Sequence, residues 1–61
     1  VNEPTPEEID LLCLLRASRV LLQRALHYPA RPEVKRGIAN MLTASNIMIH
    51  LQEQAQAKTN D

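Results

Sequence analysis

The sequence predicts an all-α fold: an antiparallel two-helix hairpin that dimerises into a four-helix bundle. Three observations carry this. Leu, Ala, Ile, Glu, Gln and Arg dominate, with one Gly, one Tyr and no Phe or Trp. Sheets favour β-branched and aromatic residues with Gly-rich turns, which this composition lacks. Two long stretches carry apolar residues at helical spacing, and a short segment with Pro29 and Pro32 divides them. Their apolar faces are also wider than a single neighbouring helix can cover.

Residues 1–4 read as a loose leader. Thr5-Pro6-Glu7-Glu8 is a helix start. Thr5 can cap the orphan amides, Pro6 suits the first helical position, and Glu8 stands where a capping box places its acid. Glu7, Glu8 and Asp10 also suit the positive end of the helix dipole. The first helix is expected over 6–27. Tyr28-Pro29-Ala30-Arg31-Pro32 then breaks it, because each proline lacks an amide and restricts the residue before it. After a turn at 28–31, Pro32 opens a second helix over 32–57, with a frayed polar tail at 58–61. The Gln-rich stretch (Gln52, Gln54, Gln56) reads as the end of that helix. A connection this short makes the helices antiparallel neighbours, so residues 1–61 form one helical-hairpin domain.

At 100° per residue, the first helix gathers Leu11, Leu14, Leu15, Leu21, Leu22, Ala25 and Leu26 on one broad face, with Ser18 near its centre. Ile9, Cys13 and Val20 form a narrower stripe on roughly the opposite side, and Leu12 lies between the two. The second helix has a main face of Val34, Gly37, Ile38, Met41, Ala44, Met48, Leu51 and Ala55. Ile47 extends one flank of it; Leu42 and Ile49 extend the other.

A chain of 61 residues buries a modest share of its surface, and such cores need help from disulfides, metals or oligomerisation. Cys13 is the only cysteine, so there is no internal disulfide. Ordering the backbone costs about 1–2 kcal/mol per residue, so a hairpin with half its apolar surface wet is close to unstable. Pairing two hairpins removes the problem. The residues expected to carry self-association are Leu11, Leu14, Leu15, Leu22, Ile38, Met41, Met48 and Leu51. The Ile9, Cys13 and Val20 stripe is either the outer flank of that interface or a docking strip for a different protein.

Charge is segregated along the chain. Between positions 16 and 36 six basic residues stand against one acid, Glu33, a net +5; elsewhere six acids stand against Lys58, a net −5. The hairpin's loop end is therefore basic and its open end acidic. In one reading, two hairpins pair with loops at opposite ends, each basic end beside an acidic one. In the other, Arg24, Arg31, Lys35 and Arg36 dock phosphates or an acidic segment of a partner. Zero net charge and the absence of an aromatic stacking platform argue against general nucleic-acid binding.

No catalytic, cofactor-binding or metal-binding residues are expected, and the chain does not read as an enzyme. Cys13 lies on a separate turn from either histidine, with no oxyanion donor implied. His27 suits a helix end. His50 and Glu53 are three apart on the polar face, in the reverse of the Glu-x-x-His order that di-metal bundles use. There is no Gly-rich phosphate loop and no Cys-x-x-Cys. Two packed helices also offer no deep cleft for a small-molecule substrate. The longest apolar run, 11–15, is far short of the roughly 20 residues of a membrane span, and no basic segment precedes an apolar stretch at the start. A lone thiol fits a reducing, cytoplasmic setting.

The expectation is therefore a small regulatory or adaptor protein, of the inhibitor, anti-activator or co-chaperone type. It acts by protein–protein contact as a homodimer, with a larger protein as partner. One alternative is an RNA- or DNA-binding modulator using the basic loop end. Another is a structural subunit of a larger helical assembly.

Overall fold

Thr5 and Glu8 close the capping box that the sequence implies. The Thr5 hydroxyl oxygen accepts the Glu8 amide at 3.2 Å, and the Glu8 carboxylate accepts the Thr5 amide at 3.2 Å. From this start the chain forms two helices, α1 at Pro6–Ala25 and α2 at Pro32–Thr59. They pack against each other as an antiparallel hairpin, in a computed structural model that describes residues 3–59. No strand occurs among the described residues.

The helix ends differ slightly from expectation. α1 stops at Ala25 instead of His27. There the ladder tightens: the His27 amide donates to the Arg24 carbonyl and the Tyr28 amide to the Ala25 carbonyl, both at 3.1 Å and both three residues back. Pro29 explains this, since its ring disfavours helical backbone at Tyr28. α2 begins at Pro32 as expected, and the Lys35 amide donates to the Arg31 carbonyl at 3.0 Å. It continues to Thr59, two residues past the expected end, through a run of residues with good helix propensity. The rest of the expected tail, Asn60 and Asp61, and the first two leader residues lie outside the described residues.

The seam between the helices is narrow. Leu12 and Ile49, 6% and 2% exposed, are the buried apolar residues among those described. Leu15, Leu22 and Leu26 of α1 and Ile38, Leu42 and Ser45 of α2 are half-buried along the same line. Two polar contacts fix the open end. The Gln56 side-chain amide donates to the Glu8 carbonyl at 3.2 Å, and Arg16 Nη2 meets Glu53 Oε2 at 2.6 Å. On α2 the seam therefore runs along the Leu42–Ile49 flank and not through the middle of the main apolar face. Periodicity gives the width of an apolar arc; the loop and these cross-helix contacts decide which strip of it turns inward.

Candidate interaction surface

The narrow seam leaves most of the large apolar side chains in solvent. Leu11, Leu14 and Leu21 of α1 and Val34, Met41, Met48 and Leu51 of α2 are all 45% exposed or more. Helix geometry places them together. On α1 the surface turns from the seam one way to Arg16, and the other way to Leu11, Ser18, Leu14 and Leu21. On α2 it turns one way to Glu53, and the other way to Val34, Met41 and Met48. Arg16 touches Glu53, so those two mark a common side. In antiparallel helices the two apolar strips must then share the opposite side.

The resulting surface is a long apolar face made by both helices. Leu21, Ala25 and Ile38 meet on it at the loop end, where with Arg24, Tyr28 and Ala30 they line an open cleft of about 400 Å³. Ser18 and Ala44 lie near its middle, and Gly37 leaves further room: a Cβ there would meet nothing within 4 Å. This combination of bulky side chains flanking small ones is what close helix packing uses.

Of the eight residues expected to carry self-association, Leu11, Leu14, Met41, Met48 and Leu51 lie on this face and are exposed. Leu15, Leu22 and Ile38 are half-buried, with part of each taken up by the seam. Leu21 and Val34 belong to the face as well and were present in the helical pattern, although periodicity alone did not separate them from the seam.

Ile9, Cys13 and Val20 are exposed too, and sit past Arg16 on the outer surface of α1. They point away from the large face, so the two surfaces are distinct. At the loop end Arg24, Arg31 and Arg36 are exposed, whereas Lys35 is half-buried beside the seam.

The opposite side of the hairpin carries the Arg16–Glu53 ion pair, with the Ile9, Cys13 and Val20 stripe beyond it. The Arg16 hydrogen bond holds the Glu53 carboxyl below its usual 4.5; partial desolvation opposes this, while the charges of Arg16, Arg19 and His50 reinforce it. Both partners remain about half exposed, so the pair orients the helices more than it stabilises them. Among the described residues, no three His, Cys, Asp or Glu side chains are placed to hold a metal ion. No described helix is long and apolar enough to cross a membrane. No protein-family model matches the chain, and no curated protein and no solved structure matches it either.

Proposed function

We propose that this protein is a small regulatory or adaptor protein that works by protein–protein contact as a homodimer. The observation that carries the reading is the seven large apolar side chains left half in water along one side of the hairpin, against two that are buried. Monomers seldom leave a contiguous apolar face of this kind uncovered. A second hairpin placed over it makes a four-helix bundle. The Ile9, Cys13 and Val20 stripe would then stay outside the dimer, available to a helix or apolar groove of a different protein.

Two measurements test this. Light scattering across a dilution series should give twice the 6.9 kDa chain mass at working concentrations. Val20→Glu should leave that mass unchanged while abolishing co-purification of a partner retained by the parent chain. Loss of the dimer in Val20→Glu would instead put the stripe inside the self-association interface. A second reading, in which the exposed Arg24, Arg31 and Arg36 bind nucleic-acid phosphates, predicts RNA or DNA binding that falls steeply with salt. No binding at low salt excludes it.

A further inference from the structure

The apolar face carries an internal symmetry that a second copy of the chain would match. On α1, Leu14 and Leu21 lie at equal distances from the Ala17–Ser18 step. On α2, Met41 and Met48 lie at equal distances from the Ala44–Ser45 step. The two steps are level with each other across the hairpin. The hydrogen bond from Gln56 to Glu8 and the meeting of Ala25 and Ile38 in the cleft set that level to within a residue or two. The face therefore has small residues across its middle and large ones mirrored on either side.

Charge is antisymmetric about the same middle. Glu7 and Asp10 flank the face at the open end of α1, and Arg24 flanks it at the loop end. Asp10 and Arg24 are 14 positions apart, about 21 Å along one helix, too far to pair within a chain. In a two-fold dimer with loops at opposite ends, the Asp10 of one copy comes level with Ala25 of the other, next to Arg24. The alternative dimer, with loops at the same end, stacks two basic ends and two acidic ends on each other. Like charges brought together in this way select against it.

We infer that the hairpin forms an isologous dimer with loops at opposite ends, α1 on α1 and α2 on α2, its two-fold axis passing through the Ala17–Ser18 and Ala44–Ser45 steps. This rests on the homodimer reading above and specifies its topology and register. Leu14 of each copy packs on Leu21 of the other, and Met41 on Met48. Leu11 enters the cleft between Leu21, Ala25 and Tyr28 of the other copy, which gives the apolar cleft at the loop end an occupant. The whole hairpin measures 49 by 15 Å in its two longest directions, which limits the footprint of a second copy to on the order of 700 Å². That is a small interface by the standard of roughly 800 Å² buried per partner, so charge and register carry the choice of partner more than area does.

Site-directed cross-linking tests the register. Cys13 is exposed, so Cys13→Ser supplies a thiol-free parent with an unaltered seam. In that parent, Ser18→Cys puts each new thiol beside the two-fold axis, within reach of its own counterpart. Oxidation should convert most of the chain to a disulfide-linked dimer. A protein that is dimeric by light scattering but in which Ser18→Cys fails to link overturns the inference while sparing the homodimer. In that case linkage appearing only when Ser18→Cys and Ala44→Cys are combined would identify the same-end dimer. A protein that is monomeric at every concentration overturns both. A charge swap gives an independent check on folded chains. Arg24→Asp and Asp10→Arg should each weaken the dimer by about five- to tenfold, and the double variant should recover most of the loss. A double variant no tighter than the singles would refute the predicted pairing.

Discussion

Leu12→Ala and Leu14→Ala, two residues apart on one helix, separate the hairpin seam from the open face. Leu12 is 6% exposed, so nearly all of its side chain is withdrawn from water by α2. Truncating it should cost about 2–3 kcal/mol, from the transfer free energy and from a cavity that a seam this thin refills only partly. Leu14 is 60% exposed, so within one hairpin the same truncation should cost about 1 kcal/mol or less. If a second copy covers the remainder, each dimer loses two such side chains, about 2–3 kcal/mol, and its dissociation constant rises about 30- to 150-fold. Circular dichroism along a urea titration reads the first cost, and light scattering over a dilution series reads the second. The Leu12→Ala deficit should hold at every concentration. That of Leu14→Ala should be small where parent and variant are both helical monomers, and should grow as the parent dimerises. Equal deficits in dilute, helical monomers would refute the seam as described. A parent chain that is helical only as a dimer would show that the seam cannot hold the hairpin alone.

Other substitutions probe single features. Ser45 lies on the seam with a buried hydroxyl that has no hydrogen-bond partner among the described residues, so Ser45→Ala should stabilise the hairpin by about 1 kcal/mol, read as a higher urea midpoint. Thr5→Ala opens the capping box and should cost about 1 kcal/mol, with lost helicity confined to the first turn of α1 by amide exchange. Glu53 titrates below its usual 4.5 in the fold because Arg16 favours the carboxylate. Its contribution is therefore present above pH 4.5 and is lost as pH falls through the lower folded value. Glu53→Gln should flatten the acid limb of a stability–pH curve in that window and leave the neutral-to-alkaline part parallel to the parent's. An unchanged acid limb would show that the Arg16 contact does not persist in solution.

How much of this was legible in the sequence varies by element. The start of α1 was fully legible, because Thr5, Pro6 and Glu8 act over three residues and need nothing distant. So were the break at Pro29 and the restart at Pro32, which follow from missing amides and ring sterics. The end of α1 was legible to within two residues: Tyr28 before a proline signals a stop, but whether the last turn tightens first depends on the local ladder. The candidate surface was legible only as a list of residues. Leu11, Leu14, Leu15 and Leu22 share one broad arc of the first helix by spacing, and Met41 and Met48 share one of the second, while Leu12, which the structure buries, reads from spacing as lying beside the arc and not at its centre.

By itself the sequence determined that there are two helices, where they break, which arcs are apolar, and that charge is divided between loop end and open end. Those properties are local or additive along the chain. Only the tertiary structure decided which strip of each arc is used. The short loop and the Arg16–Glu53 and Gln56–Glu8 contacts set the rotation of α2 about its axis. That rotation buries Ile49 and half-buries Leu42 from the flank, and leaves Val34, Met41 and Met48 beside Leu11, Leu14 and Leu21 in water. A helix of given periodicity can present any part of a wide apolar arc to its neighbour at similar cost, so contacts from residues far apart in the chain make the choice.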